Sequence, residues 1–421
     1  MTLFFIVWII LLVIGMPITF AIICACLIYM FQHGGIMLCA QRLVAGVDSY
    51  TLLAVPFFIF SGNLMNATGI TDRIFTFAKT CVGHIPGGLG HVNVLASLLF
   101  SGMSGSAHAD AGGLGQIEIQ AMREEGFDDG FSGAITAASS VVGPLMPPSI
   151  PLVIYGAIAS VSVGKLFLGG VFPAILVSIS LMIYVYFYAK KRHYKTYPKS
   201  TFSERWNAFV KAFPALLTPI IIIGGIFSGI FTPTEAAAVT SFYALILGIF
   251  VYKTFSLSVM RKVLKDTLSN AAVIGFLTAA ISLMGYVLAR EQIPQKIAMF
   301  FLRYTSNPIV FLLAVDLLLV ILGCVIETMA IQLLVIPMLV PVAIALGIDP
   351  VHFGVVVTMN MMIGILTPPM GVSLFVVSKI SGIPFKTLAK SILPMFIPLT
   401  IVLLLLIFFP QIVMFLPNLM R

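Results

Sequence analysis

Long apolar runs follow one another along most of this chain, separated by short polar or Gly- and Pro-rich stretches. The first contains "FFIVWIILLVIG" near the start, and the last contains "IPLTIVLLLLIFFP" near the end. A helix that crosses a bilayer needs about 20 mainly apolar residues. The pattern therefore predicts an all-α polytopic membrane protein, in which the polar stretch 189–206 is a linker rather than a soluble domain.

Composition and charge agree with this prediction. The chain is 60% hydrophobic and 9% charged, with a mean hydropathy of +1.12, whereas soluble domains carry about 25% charged residues. The net charge of +8 does not indicate nucleic-acid binding. Its basic residues concentrate in three segments, at 190–199, 253–265 and 379–390, as is typical of cytoplasmic loops.

The chain contains an internal repeat. When the sequence is shifted by 221 residues, "EEGFDDGFSGAITAASSVVGPLMPPSIP" (124–151) falls without gaps on "ALGIDPVHFGVVVTMNMMIGILTPPMGV" (345–372). Gly126 falls on Gly347, Asp128 on Asp349, and the double proline on a second double proline. Matches of several residue types in one frame indicate an internal duplication.

The basic segments predict that the two halves are inverted in the membrane. If those segments are cytoplasmic, residues 131–163 run outward and their counterparts 351–383 run inward. Inverted repeats are typical of secondary transporters, whose sites lie near the bilayer midplane at discontinuous helices.

Residues 90–122 are predicted to form a re-entrant hairpin. Both ends fall on the same side of the membrane, and the legs, 91–103 and 111–122, are too short to span it. The predicted tip is "SGSAHAD" (104–110), and "CVIETMAIQ" (324–332) is its counterpart in the second half. Irregular backbone at this depth must be buried in protein or line a cavity. A Gly- and Ser-rich seam between packed helices is the alternative.

Two double prolines predict helix breaks at membrane depth. They lie in "VVGPLMPPS" (141–149) and "MIGILTPPMG" (362–371). Proline lacks the backbone donor that a helix interior needs, so each break frees carbonyl groups. The breaking positions are Pro147, Pro148, Pro368 and Pro369.

Each hairpin tip, taken with a helix break, gives one cluster of hard oxygen ligands, which suit a hard, non-transition cation. A carboxylate at membrane depth is costly and is therefore a functional-site candidate by default. Glu327 is the strongest of these candidates because it lies at a hairpin tip. Asp110 and Glu118 face a cytoplasmic vestibule or contribute to a site, and Asp316 is assigned no role. The first cluster is Ser104, Ser106, Gly143 and Ser149; the second is Glu327, Thr328, Gly364 and Thr367; the candidate substrate-binding residues are Gly105, Ser106, Thr328 and Asn360.

Four stretches make a family resemblance specific. "SLLFSGMSGSAHAD", "GPLMPPSIPLVIYG", "GIFTPTEAAAV" and "GILTPPMGVSLFVVS" resemble the large, DctM-like membrane subunit of TRAP (tripartite ATP-independent periplasmic) transporters, within the ion-transporter superfamily. The resemblance implies a multi-pass protein of the bacterial inner membrane that imports an organic acid by a sodium-driven elevator mechanism. It also implies two bound sodium ions, one per cluster, and two protein partners: a small four-helix membrane subunit and a periplasmic substrate-binding protein.

An elevator transporter has a fixed scaffold and a moving transport domain. The predicted division is 1–66 for scaffold helices of the first repeat, 67–190 for an arm helix, the first hairpin and transport-domain helices, 191–211 for a cytoplasmic linker, 212–305 for scaffold helices and the arm of the second repeat, and 306–421 for the second hairpin and transport-domain helices. Within these, 70–83 is predicted to be an amphipathic arm helix.

Several alternatives stay open at this point. The main one is a sodium/dicarboxylate carrier of the same superfamily that needs no binding protein. A channel fits inverted hairpins less well, and an intramembrane enzyme is disfavoured because Ser, His and Asp crowd onto one short tip. The substrate could be sialic acid, a C4-dicarboxylate or a sugar acid. Residues 2–32 could be one long helix, or two short ones broken at "GMP" (15–17).

Overall fold

The structure is a computed structural model that describes residues 2–192, 194, 196–324 and 326–420. Within these residues, six helices are long and apolar enough to cross a membrane, or seven if the bent pair Met37–Val47 and Thr51–Ala67 is one span. The two members of that pair meet at 59°. The prediction of an all-α, polytopic membrane protein is confirmed.

The helices of the first half follow the predicted breaks. The break at "GMP" separates two helices, because Gly15 adopts a φ of 90° and Pro17 precedes the next helix. In chain order the helices are α1 (Thr2–Val13), α2 (Ile18–His33), α3 (Met37–Val47), α4 (Ala54–Ala67), α5 (Ile70–Val82), α6 (Gly88–Ser104), α7 (Ala107–Glu124), α8 (Asp129–Ser139), α9 (Ile150–Ala159) and α10 (Val163–Arg192).

The helices of the second half repeat much of this order. The hairpin α6–α7 recurs as α15–α16, and the broken pair α8–α9 recurs as α17–α18. In chain order the helices are α11 (Phe202–Phe227), α12 (Pro233–Ile246), α13 (Leu257–Arg290), α14 (Ile293–Tyr304), α15 (Pro308–Gly323), α16 (Thr328–Ala345), α17 (Pro350–Gly364), α18 (Val372–Ser381), α19 (Phe385–Ser391), α20 (Phe396–Phe408) and α21 (Gln411–Met414).

Residues matched by the sequence repeat occupy equivalent structural positions in both halves. Gly126 and Gly347 adopt left-handed turns with φ values of 80° and 76°, a conformation that favours glycine. Asp128 and Asp349 occupy the N-cap positions of α8 and α17. The opposite orientation of the two halves in the membrane stays a prediction.

The non-helical part of the linker between the halves is shorter than the predicted linker range 191–211. Helix α10 continues to Arg192, and α11 already begins at Phe202. A capping box starts α11: the Thr201 N–H donates to the Glu204 carboxylate (2.7 Å), and the Glu204 N–H donates to the Thr201 hydroxyl (3.3 Å). The same box recurs at Thr232 and Glu235 of α12.

Helices α1–α4 and α11–α13 form one packed group, here called the frame. Helix α4 packs against α12 and α13, and α13 also packs against α2 and α3. Two hydroxyls tie α12 to the segment around α4: Thr234 donates to the Tyr50 carbonyl (3.0 Å) and Ser241 donates to the Phe57 carbonyl (2.8 Å).

Helices α6–α10 and α15–α21 form a second group, here called the hairpin core, in which the halves interlock. Helix α7 packs against α18, and α9 packs against α16. Tyr155 of α9 donates to the Pro350 carbonyl (2.7 Å), and Gln332 of α16 donates to the Pro151 carbonyl (2.6 Å). Each half therefore supplies packing surfaces that the other half needs.

Two further helices lie between frame and hairpin core. Helix α5 packs against α6 and α11, and α14 packs against α16. The predicted amphipathic helix at 70–83 matches α5, whose buried residues Ile70, Thr71, Ile74 and Ala78 lie on one side.

Candidate functional site

A cavity of about 520 Å³ lies between the frame and the hairpin core. Residues 104–109 of the first hairpin and 327–329 of the second line it on the core side. On the frame side it is lined by Ile59, Gly62 and Asn63 of α4 and by Asn270, Val273, Ile274 and Leu277 of α13. Small-molecule sites usually measure about 300–1,000 Å³, so the cavity can hold a metabolite between the two hairpin tips.

The first hairpin tip is tighter than predicted. The expected irregular stretch was 104–110, but only Gly105 and Ser106 lie outside helix, because α7 already begins at Ala107. Ser106 is the N-cap, and its hydroxyl accepts a hydrogen bond from the Ala109 N–H (3.4 Å). A serine cap followed by alanines favours early helix formation. Gly105 makes the turn with a φ of 61°.

This tip presses against the first proline break. The Ile150 N–H donates to the Gly105 carbonyl (3.3 Å), and a Cβ atom on Gly105 would lie 2.3 Å from the Pro148 carbonyl oxygen. A Cβ atom on Gly143 would lie 3.2 Å from the Ser106 carbonyl carbon. Pro147 and Pro148 lie in the gap between the 3-10 turn Ser140–Val142 and α9, as predicted. The structure thus brings the first cluster together.

The hydroxyl groups of the first cluster differ in their hydrogen bonding. The Ser104 hydroxyl is buried and has no hydrogen-bond partner in the described part of the chain. Ser149 is the N-cap of α9, where it donates to the Pro144 carbonyl and accepts from the Leu152 N–H (3.2 Å). A hydroxyl oxygen has two lone pairs, so Ser149 can still face a cation while it caps the helix.

The second hairpin tip approaches its proline break through two glycines. A Cβ atom on Gly323 would lie 3.0 Å from the Cα atom of Gly364, and the Met370 N–H donates to the Cys324 carbonyl (3.3 Å). Glu327 is the N-cap of α16 and accepts from the Ala330 N–H (3.1 Å). One position of the predicted tip, 325, lies outside the described residues.

The second cluster is more spread out than the first. Glu327 and Thr328 line the cavity, whereas Gly364 and Thr367 are not among its lining residues. The Thr367 hydroxyl donates to the Ile363 carbonyl (2.9 Å). Pro368 and Pro369 lie in the loop between α17 and α18, as predicted.

Three of the four candidate substrate-binding residues line the cavity: Gly105, Ser106 and Thr328. Asn360 lies elsewhere. It is fully buried, and its amide donates to the backbone carbonyl of Asp316 (3.0 Å), which places it between α17 and α15.

Several cavity residues were not anticipated from sequence. Asn63 and Asn270 line it, as does His108 of the predicted tip. Asn63 also donates to the Thr267 hydroxyl (3.2 Å). Asn63 occurs in the polar part of "SGNLMNATGI", but nothing in that pattern places this face of α4 opposite a hairpin tip. Among the described residues that line the cavity, His108 and Glu327 are the titratable ones, and none is Lys or Arg.

Comparison with known proteins decides the family. Residues 5–412 match the family described as "Tripartite ATP-independent periplasmic transporter, DctM component". The chain belongs to this family. It is a multi-pass TRAP transporter large permease of the bacterial inner membrane.

Curated relatives of this permease carry transporter names. The chain is 54% identical to the sialic acid TRAP transporter large permease protein SiaM of Vibrio cholerae, over 98% of this chain and 97% of that protein. It is 47% identical to the sialic acid TRAP transporter permease protein SiaT of Haemophilus influenzae, over 98% of this chain and 68% of that protein. It is 39% identical to the C4-dicarboxylate TRAP transporter large permease protein DctM of Pseudomonas aeruginosa, over 93% of this chain and 92% of that protein. Permeases of this kind are not enzymes.

A solved structure shares the fold of this permease. The Alcanivorax borkumensis YdaH transporter, described as having an unusual topology, superposes with a TM-score of 0.61 over 91% of this chain and 88% of that one. The two sequences are 14% identical, so the likeness concerns the fold alone.

Proposed function

We propose that this permease carries an organic acid into the cell, driven by sodium ions, after a periplasmic binding protein has delivered it. A small four-helix membrane subunit completes the complex. Sialic acid is the first candidate substrate, because the relatives named for sialic acid are 54% and 47% identical, compared with 39% for the C4-dicarboxylate relative.

The lining of the cavity supports the sodium requirement. An organic acid between the tips would meet Glu327, which is exposed to the cavity, while the described lining residues offer no Lys or Arg. Two like charges in a poorly solvated site repel strongly. Bound cations at the two tips would offset that repulsion, and the tips supply hydroxyl, carbonyl and carboxylate oxygens of the kind that hard cations prefer.

The packing supports movement of the hairpin core against the frame. The cavity lies between these two groups, and the interlocked contacts of α7 with α18 and of α9 with α16 join both tips in one unit. If the core moves as a rigid body, the backbone groups at the tips keep their partners throughout. Local unfolding of a tip would expose them to the membrane instead.

Uptake into proteoliposomes tests the driving ion. The permease is reconstituted with its small subunit and the loaded binding protein, and uptake of the labelled acid is followed in sodium, potassium or choline buffer. We expect uptake only with an inward sodium gradient, with a sigmoidal dependence on sodium concentration because two ions bind. Equal uptake in potassium with a proton gradient alone would contradict the proposal.

Variants at the tips test the proposed ligands. Ser149→Ala and Glu327→Ala should each lower sodium-driven uptake at least about tenfold, since each removes an oxygen where water cannot readily replace it. Ser178→Ala is the matched control, because that buried serine lies away from the tips and donates to the Ala174 carbonyl of its own helix (3.0 Å). Thermal unfolding of each variant separates loss of transport from loss of fold. Normal transport by both tip variants would refute the assignment.

A disulfide across the frame and the core tests the elevator. A Cβ atom on Gly102 of α6 would lie 2.9 Å from the Cβ atom of Pro219 of α11. This is shorter than the spacing of about 3.5–4.5 Å in disulfides, so a small outward shift of one helix brings the two positions to bridging distance. The pair Gly102→Cys and Pro219→Cys, with the five native cysteines replaced by serine, should stop transport when oxidised and restore it when reduced.

A second cysteine pair is the control for that experiment. Gly130→Cys and Ser391→Cys lie within the hairpin core, with 3.4 Å between the Cβ positions. This bridge should leave transport intact, because it joins parts that move together. Full transport with the first bridge closed would rule out a moving core.

Omitting the binding protein distinguishes the alternative carrier. A sodium/dicarboxylate carrier that needs no delivery would take up free substrate at the same rate with or without it. We expect uptake at low substrate concentration to require the binding protein.

A further inference from the structure

The two walls of the cavity differ in their polar groups. On the core side, the tips present hydroxyls, the carboxylate of Glu327 and the ring of His108. On the frame side, Asn63 of α4 and Asn270 of α13 are the polar side chains among the described lining residues, and the others there are apolar or glycine. Small-molecule sites take their specificity from a few polar groups on mainly apolar walls. The proposed sodium clusters include neither amide, so both face the space that a substrate would fill.

A hydrogen bond between the two frame helices positions the first amide. The Asn63 Nδ2 atom donates to the Thr267 hydroxyl (3.2 Å), which joins α4 to α13. The amide has a second N–H and a carbonyl oxygen, and these stay available to a ligand. Thr267 is three residues before Asn270, and side chains with this spacing are neighbours on a helix face. The two amides therefore lie close together on the frame wall.

The second amide is unengaged. Asn270 is exposed, and no hydrogen bond within the described residues involves its side chain. The lining residues that follow it on α13, Val273, Ile274 and Leu277, are apolar. A ligand that displaces water from a polar group gains affinity only if it reproduces the hydrogen bonds of that water. Asn270 therefore favours a ligand group that can both donate and accept.

The charges in the cavity limit which ligand groups can face the amides. A carboxylate only accepts hydrogen bonds, whereas a hydroxyl or an acylamino group both donates and accepts, as the amide itself does. Glu327 supplies a negative charge, and none of the described lining residues is Lys or Arg. A second carboxylate on the substrate would therefore meet no cationic side chain on the frame wall, whereas an uncharged polar group would match the amides.

We propose that Asn63 and Asn270 are specificity-determining residues that bind uncharged hydroxyl or acylamino groups of the substrate, while its single carboxylate lies at the hairpin tips. The substrate class is then a polyhydroxylated monocarboxylic acid rather than a C4-dicarboxylate. A site built to hydrogen-bond the hydroxyls of its substrate rejects analogues that lack them, because its polar groups are then left unpaired. This inference rests on the proposed function, because it requires an organic acid in the cavity.

Binding to the purified complex of permease and small subunit tests the assignment. The periplasmic binding protein is left out, so that the complex itself selects between acids. The two probes are N-acetylneuraminic acid, a sialic acid, and succinic acid, a C4-dicarboxylate, each titrated at saturating sodium and followed by thermal unfolding. We expect the wild type to bind N-acetylneuraminic acid more tightly. Asn63→Ala and Asn270→Ala should each weaken that binding about tenfold and leave the response to succinic acid unchanged.

Two control variants separate recognition from helix packing. Thr267→Val removes the hydrogen bond to Asn63 but leaves both amides in the cavity, so it should weaken binding less than Asn63→Ala does. Asn207→Ala removes an exposed amide of α11 that does not line the cavity, so it should leave binding unchanged. Equal losses in Thr267→Val and Asn63→Ala would assign the effect to the contact between α4 and α13 and would overturn the role of Asn63.

The disulfide-locked protein tests whether the amides act on the substrate or on the motion. The bridge between the Gly102→Cys and Pro219→Cys positions holds the frame and the core as they are in this structure, so binding is measured in a single state. The loss of affinity in each Asn variant should persist when the bridge is closed. A loss that disappears in the locked protein would mean that the amides shift the balance between states, and the proposal would be overturned.

Failure of this inference differs from failure of the proposed function. If neither acid binds to the wild type at any sodium concentration, the proposed function is contradicted, and this inference with it. If the wild type binds N-acetylneuraminic acid and both Asn variants bind it equally well, only the role of the amides is refuted. Parallel losses for both probes, or tighter binding of succinic acid by the wild type, would also overturn the inference while an organic-acid carrier still stands.

Discussion

The two hairpins have the same backbone arrangement but differ in the side chains at their tips and between their legs. In the first, a two-residue tip with Gly105 in a left-handed conformation lies directly against the Pro148 carbonyl, and a buried polar network lies between the legs and α8. In the second, Gly323 and Gly364 provide the close approach, and the legs are more apolar. There Glu327 extends into the cavity from the start of α16.

This difference indicates which features the duplication constrains. Helix breaks, caps and turn glycines recur because the backbone requires them in both halves. Side chains between the legs are free to diverge once each hairpin has its own neighbours. The first hairpin therefore carries its acids inside, at Asp110 and Glu118, whereas the second presents one at the cavity and buries another, Asp316, beside Asn360.

The largest effect is expected from an added methyl group at the first tip. Gly105→Ala places a Cβ atom 2.3 Å from the Pro148 oxygen at a φ of 61°, so left-handed strain and overpacking add to about 3 kcal/mol. The melting temperature and the rate of sodium-driven uptake should both fall sharply. Gly112→Ala, whose Cβ atom would meet Val376 at an ordinary 3.7 Å, should change neither. Near-normal uptake by Gly105→Ala would show that the tip is not tightly packed.

The polar network gives the next largest contrast between the hairpins. Asn93→Ala removes three side-chain hydrogen bonds and leaves the Glu118 carboxyl without its amide partner, which should cost about 2 kcal/mol. Asn360→Ala removes one bond to a backbone carbonyl and should cost about 1 kcal/mol. The difference in melting temperature between the two purified variants measures the contrast, and equal losses would mean that the network is no special property of the first hairpin.

The smallest effect is expected where the second tip meets its break. A Cβ atom on Gly364 would lie 3.2 Å from the Cα atom of Gly323, a tight contact at ordinary helical backbone angles, so Gly364→Ala should cost about 1 kcal/mol. Uptake should fall less than in Gly105→Ala, as measured in the same proteoliposomes. A larger loss than at Gly105 would reverse the ranking of the two tips.

Much of the fold could be predicted because its signals are local. The double prolines act through the backbone of their own segments, and Gly126 and Gly347, which the repeat matches, make the same left-handed turn in each half. The extent of the first tip was predicted less well. Apolar and small residues after Ser106 permit either loop or helix, and the serine cap decided the outcome in favour of helix.

The sequence by itself determined the membrane setting, the repeat, the hairpins and the helix breaks, because hydropathy, proline chemistry and glycine conformation do not depend on distant neighbours. Only the tertiary structure decided that α7 packs on α18 and α9 on α16, that Asn63 and Asn270 face the tips across a cavity, and that Asn360 turns away from it. It also decided that Asp110 and Glu118 are buried, and that among the described residues three of their carboxylate oxygens have no hydrogen-bond partner. In an all-helical membrane protein nearly every helix face is apolar, so the pattern along the chain does not say which faces meet; the packing of small residues and the pairing of a few buried polar groups do.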